Sequence, residues 1–397
     1  MCPHVPVVAP RIERAAVFMK IVIGASLAAS LINFRGELIR ELLARGTEVH
    51  VTAPDFESDS DSARTLTGWG VTTHQVAMSR TGMNPWSDLR SLAAYRRLFR
   101  SLRPDAYLGY TAKPVIYGVS AAWLAGVPRR VAMITGLGYG FQGDGSRALL
   151  RAVVANLYRA ALSRATNVIF QNPDDLNTFQ SLGLLPSHAT TSVVNGSGVD
   201  LARFSPQPLP QGPLVFLMIA RLLGDKGVRE YVNAARLIAL EHSGVRFLLV
   251  GPRDPGPDAI PASELAQWIA EGVVEYLGEQ RDVRPFLASC SVYVLPSYRE
   301  GTPRSVLEAM ATGRPVITTN APGCRQTVED GVNGFLVEPK SVAAVAEAMR
   351  RFIVQPALIA RMVDASLAKV RDEFDVRRVN QAIQAIIYGG DFGRARV

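Results

Sequence analysis

Two trains of short apolar runs, each interleaved with helical patterns and parted by a proline-rich break, constrain this chain more than any other feature. The first train passes through Lys20 to Ile23, Glu37 to Arg45, Val49 to Thr52, Ala106 to Leu108, Val115 to Ala125, Arg130 to Ile134 and Asn167 to Phe170. The break spans Phe204 to Pro213, and beyond it come Leu214 to Ile219, Arg246 to Val250, Val273 to Leu277, Val292 to Leu295 and Val316 to Thr318. Strands that read as continuous apolar runs need cover on both faces. Their alternation with helices predicts parallel sheets wrapped by helices, hence an α/β chain of two doubly wound, Rossmann-like domains. At 397 residues the chain is long enough for two cores. The boundaries read as a leader over 1–18, expected to be disordered, a first domain over 19–205 and a second over 206–375.

The stretch Pro296 to Pro315 carries the most chemistry. Thr302 is suited to cap a helix, Pro303 to open it, and Gly313 with Pro315 to end it. Glu300 then lies in the preceding loop, and Glu308 sits about 7.5 Å further along the axis at about 1.5 Å per residue. The free N–H groups of Arg304 and Ser305, at the positive end of the helix, suit a diphosphate. Gly301, Thr302, Pro303 and Val306 complete the expected cradle. Upstream, Arg221 and Lys226 follow the buried run Leu214 to Ala220, and so sit at the carboxyl end of a strand, where open α/β sheets bind ligands.

Taken together, Ala220-Arg221, Lys226-Gly227, Glu300-Gly301, Glu308 and Asp330-Gly331-Val-Asn-Gly334-Phe-Leu-Val337 resemble the family 4 retaining glycosyltransferases, whose fold is GT-B: two Rossmann-like domains facing a central cleft. The resemblance runs from Met19 over nearly the whole chain. Asn33-Phe-Arg35, Ser79-Arg80, Asn84-Pro85, Tyr110-Thr-Ala-Lys113-Pro, Thr135-Gly-Leu-Gly138 and Leu217-Met-Ile-Ala-Arg221 resemble the branch that adds N-acetylgalactosamine or a related sugar to an undecaprenyl-diphosphate-linked acceptor.

The resemblance implies a UDP-sugar donor in the second domain and an acceptor in the first, with a last helix, within about 376–390, returning to the first domain. It implies sugar-hydroxyl contacts for Glu300 and ribose contacts for Glu308. Arg221 and Lys226 are expected to hold the leaving diphosphate, because fixed cations aimed at developing charge lower the barrier most. Arg253 and Val283, which end the next two strand-loop units, are expected beside the base. Arg35, Arg80 and Lys113 are candidates for the acceptor's pyrophosphate. Gln326 stands where the family usually has a glutamate.

The net charge is +8, and its excess lies in the first half: up to residue 205 there are 21 Lys and Arg against 14 Asp and Glu. Arg80, Arg90, Arg96, Arg97, Arg100 and Arg103 accompany Leu89, Leu92, Tyr95, Phe99 and Leu102 at helical spacing. Basic charge beside an apolar stripe suits an anionic membrane surface, although such a stripe is more often the buried side of a domain helix. The arginines lack the aromatic interleaving of a single-strand platform, so nucleic acid is not an expected partner.

No apolar run reaches the roughly 20 residues of a spanning helix. The three cysteines show neither pairing nor ligand spacing, and the expected setting is the cytoplasmic side of a membrane, peripherally attached. Asp59-Ser-Asp61 reads as a polar turn rather than a metal-binding pair, and neither a metal nor another cofactor is expected. A nicotinamide dehydrogenase is disfavoured because Gly24-Ala-Ser-Leu-Ala-Ala breaks the dinucleotide pattern. A sugar-nucleotide epimerase would share the fold but needs acids and bases that the sequence does not place.

Overall fold

The computed structural model describes residues 19–79, 84–136, 148–187, 189–256 and 258–389. The leader, Arg80 and His188 lie outside these residues. Seven parallel strands form the first sheet in the order β3-β2-β1-β4-β5-β6-β7: β1 is Lys20–Gly24, β2 Glu48–Ala53, β3 Thr72–Gln75, β4 Ala106–Tyr110, β5 Arg129–Ile134, β6 Asn167–Phe170 and β7 Thr190–Val193. Six parallel strands form the second in the order β10-β9-β8-β11-β12-β13: β8 is Val215–Ile219, β9 Arg246–Val250, β10 Glu275–Tyr276, β11 Val292–Leu295, β12 Val316–Thr319 and β13 Gly334–Val337.

The apolar runs become central strands for the reason the sequence gives. Along β1 the side chains alternate between two separate cores, Ile21 and Ile23 in one and Val22 in the other, so both faces of the sheet are covered. A single continuous core fills the second domain. Two edge strands, β3 and β7, are short and threonine-rich and carry little apolar signal.

Strand order reverses between β1 and β4 in the first sheet and between β8 and β11 in the second. Helices on either side of such a reversal diverge and leave a crevice at the strands' carboxyl ends. The two crevices face each other. The helix Val376–Tyr388 lies against the first domain, where Val379, Ile383 and Ile387 join its core and Asn380 donates to Glu41 at 2.9 Å.

The interdomain segment is anchored by one buried cation. Arg314 donates through Nε to the carbonyl of Leu287 and through Nη2 to those of Pro208 and Ala288, each at 2.9 Å. It thereby ties the proline-rich connection to the second domain. Arg314→Met is expected to lower stability by about 3 kcal/mol, the scale of losing charge-assisted hydrogen bonds, read as a lower urea midpoint with unchanged slope.

Candidate functional site

A cavity of about 410 Å³ lies where the two crevices meet. Its first-domain wall includes Phe34, Arg35, Tyr110, Thr135 and Gln171, and its second-domain wall includes Arg221, Lys226 and Glu300 through Ser305. The loops after β4, β5, β6, β8 and β11 each contribute, as the strand order requires. The structure therefore gathers Arg221, Lys226, Glu300, Gly301, Thr302, Pro303, Arg304, Ser305 and Arg35 around one space.

Lys226 ends a 3-10 turn, Gly224–Lys226, directly after β8. The next residue, Gly227, has φ +74°, and a Cβ there would stand 2.1 Å from the carbonyl oxygen of Pro296. Only glycine lets the lysine turn press against the glutamate loop. Lys226 Nζ consequently lies 2.7 Å from Glu300 Oε1, with both side chains largely buried. Burial alone would pull the ammonium's pKa down, but Glu300 and Asp225 outweigh it and hold it above its ordinary value.

Arg221 is half-exposed and pairs with Asp254 at 2.8 Å. Arg35 differs from every other cation at this site. Its residue is 2% exposed, its Nη2 contacts the sulfur of Met133 at 2.8 Å, and its Nε and Nη1 have no hydrogen-bond partner among the described residues. Burial, with a smaller contribution from Arg304, draws its pKa down to about 10, against the opposing pull of Tyr110. The Tyr110 ring centroid lies 5.2 Å from the guanidinium carbon, but a buried cation with two unbonded nitrogens at the wall of a cleft still favours an anion in that cleft.

The expected helix differs at its start. It runs Arg304–Ala311, with Pro303 as its cap at φ −72° and ψ 108°. Proline's extended ψ delays the first helical residue by one, and the Thr302 hydroxyl, expected to cap, instead donates to the Gln171 carbonyl of the first domain at 3.0 Å. The first intrahelical donors are Val306 and Leu307, both to the Pro303 carbonyl, so the N–H groups of Arg304 and Ser305 precede them and point to the helix's positive end.

Other expectations are corrected by burial and pairing. Val306 is fully buried and its N–H is already used, which leaves nothing for a ligand. Lys113 is neutralised by Asp88 at 2.8 Å and donates to Ser79 at 2.7 Å, and it is absent from the cavity wall. Arg253 is exposed and Val283 packs on the second core, and neither reaches the cavity. Asp59-Ser-Asp61, expected as a turn, instead starts the helix Ser60–Gly68, with Asp59 capping it by accepting from the Ser62 N–H. His50 and His74 bond to each other on β2 and β3, and neither lines the cavity. Sequence reasoning missed Gln171 and Asn172; the signal available was Asn172-Pro173, a helix start directly after β6.

A family described as "Glycosyl transferases group 1" matches residues 213–355, and one described as "Glycosyl transferase 4-like domain" matches 33–196. The N,N'-diacetylbacillosaminyl-diphospho-undecaprenol alpha-1,3-N-acetylgalactosaminyltransferase of Campylobacter jejuni is 30% identical over 80% of this chain and 85% of its own. The chain belongs to the group 1, family 4-like glycosyltransferases. An Escherichia coli UDP-Gal:alpha-D-GlcNAc-diphosphoundecaprenol alpha-1,3-galactosyltransferase is 28% identical over 66% of this chain and 70% of its own. Among solved structures, Anabaena HepE in complex with UDP and glucose superposes with a TM-score of 0.76 at 21% identity, covering 94% of this chain and all of that one. Sucrose-phosphate synthase from Thermosynechococcus elongatus gives 0.76 at 18% identity, over 94% and 98%. The fold of this glycosyltransferase is GT-B.

Glu308 supplies a pH-dependent check. It is buried and pairs with Arg304 at 2.9 Å; burial raises its carboxyl pKa above the ordinary 4.5, and Arg304 offsets this only in part. A carboxyl whose folded pKa is raised binds more protons in the folded state, so its contribution to stability declines as pH rises from 4.5 through the folded value. Thermal melts should therefore show Glu308→Gln gaining on the wild type between pH 4.5 and 7.5.

Proposed function

We propose that this glycosyltransferase is a retaining enzyme that moves a hexose or N-acetylhexosamine from a UDP-sugar to a sugar on an undecaprenyl-diphosphate carrier, in bacterial surface glycan assembly. The observation that carries this reading is the convergence on one cavity of Arg221, Lys226, Glu300 and the N–H groups of Arg304 and Ser305, which have no backbone partner among the described residues. Cleaving the anomeric C–O bond leaves negative charge on the departing diphosphate and positive charge on the ring. Arg221, Lys226 and the helix end meet the first; Glu300, beside Lys226, meets the sugar's hydroxyls. The acceptor hydroxyl attacks from the face the diphosphate leaves, and the leaving phosphate oxygen takes its proton, so configuration is retained without a covalent intermediate.

Fixed side-chain cations fill the place a metal would otherwise take, and chelator treatment should leave transfer intact. Arg35, the stranded cation on the first-domain wall, suits the acceptor's pyrophosphate. The relatives are glycosyltransferases and give no support to a sugar-nucleotide epimerase. The assay is release of UDP from UDP-N-acetylgalactosamine or UDP-galactose in the presence of undecaprenyl-diphosphate bearing an N-acetylhexosamine. Arg221→Ala and Lys226→Ala should each lower turnover by about 10² to 10³; unchanged turnover would sink the mechanism.

A lipid carrier requires contact with a bilayer, and no helix among the described residues is long and apolar enough to cross one. The helix Pro85–Leu102 supports peripheral docking. Tyr95 and Phe99 are its buried side, as the periodicity anticipates, but Trp86 and Leu89 are 75% and 56% exposed on a face shared with Arg90, Arg96, Arg97 and Arg100. None of these four arginines has an ion-pair partner among the described residues, whereas Arg229, Arg246, Arg284 and Arg350 of the second domain all do. Free basic charge beside an exposed tryptophan fits an anionic lipid surface. At about 1 kcal/mol per charge, replacing Arg96, Arg97 and Arg100 by Gln should lower affinity for phosphatidylglycerol-containing vesicles about a hundredfold, measured by co-sedimentation.

A further inference from the structure

We infer that the first domain positions the sugar-reading loop through Asp174 and Gln326, and that this pair explains the amide at 326. The inference rests on the glycosyltransferase reading above and adds to it two positioning residues that touch no substrate. The loop Arg299–Thr302 belongs to the second domain, yet its backbone is held from the first. Asn172 donates to the Gly301 carbonyl at 2.6 Å, and Arg299 forms an ion pair with Asp175, which is fully buried. A Cβ at Gly301 would stand 2.6 Å from both Gln171 Oε1 and the Thr135 carbonyl oxygen, so the two domains meet backbone to backbone beside Glu300.

Gln326 completes the support from below. Its Oε1 accepts from the Gly323 N–H at 2.9 Å, and its Nε2 donates to Asp174 Oδ2 at 2.7 Å. The turn it holds, Pro322-Gly323, in turn receives the Glu300 N–H on the Pro322 carbonyl at 3.0 Å. Three hydrogen bonds thus link the first turn of the helix Pro173–Ser181 to the backbone of the loop's carboxylate residue. Both ends of the side chain are used, one accepting and one donating. A glutamate could accept from Gly323, but its second oxygen would face the Asp174 carboxylate with no proton between them. Only an amide satisfies both neighbours, which fixes its orientation here. The departure at 326 is therefore matched by an acid at 174. Together they make correct placement of Glu300 conditional on closure of the two domains.

The test uses the full chain with the UDP-release assay above and calorimetric titration with UDP. Gln326→Glu should lower kcat by at least about tenfold, the scale of a hydrogen bond to a charged group, while UDP affinity stays within about twofold. Adding Asp174→Asn should restore most of the loss, because the amide at 174 then donates to the carboxylate at 326. Asp174→Ala, at a partly exposed helix start, provides a second route to the same fall in kcat. Turnover of Gln326→Glu or Asp174→Ala within about twofold of wild type, or a double variant no better than the single, would overturn the proposal. So would a loss expressed wholly in UDP affinity. Failure of the underlying reading would look different: the wild type itself would release UDP from neither donor.

Discussion

The ion pair between Lys226 and Glu300 is the constraint on which the site depends. Both side chains are largely withdrawn from water, and a buried charge left without its partner is costly on a scale of several kcal/mol. The pair forces the turn after β8 and the loop after β11 into contact, and Gly227 removes the Cβ that would prevent it. That contact sets the cavity's second-domain wall. The exposed amide end of the Arg304–Ala311 helix follows in the same chain segment, so one electrostatic requirement aligns the cation, the carboxylate and the helix dipole.

The two sheets explain why such a cluster can exist at all. Each opens a crevice where its strand order reverses, and the interface between the domains joins two crevices into one shared cleft. Burial of Lys226 and Glu300 within it lowers the local dielectric, which strengthens the interaction between their charges. The interface also makes geometry depend on closure, since Asn172 and Asp175 of one domain hold the loop of the other. A two-substrate transferase benefits from a site walled by two domains, because each wall can carry contacts to one substrate.

Much of this was legible in the residues. Central strands declare themselves by continuous apolar runs, and the proline-rich break marks the connection between sheets. The cations after β8 and the glutamates around Pro303 are local patterns that survive without knowledge of contacts. Edge strands were harder, because Thr72–Gln75 and Thr190–Val193 bury little and so lack an apolar signature. Partners distant in sequence were harder still. Nothing near Lys113 announces that Asp88 will neutralise it, and nothing near Thr302 announces the Gln171 carbonyl that takes its hydroxyl. Glu308 and Val306 sit two residues apart on one helix, yet one is a paired carboxylate and the other pure core, a difference set by helix phase.

The most direct measurement is a crystal structure of the protein with UDP bound. The account places the diphosphate within hydrogen-bond reach of the Arg304 and Ser305 amides, with the Arg221 guanidinium and the Lys226 ammonium turned toward its oxygens. A diphosphate lying elsewhere, or one bound at this helix with both cations directed away from it, would contradict the account.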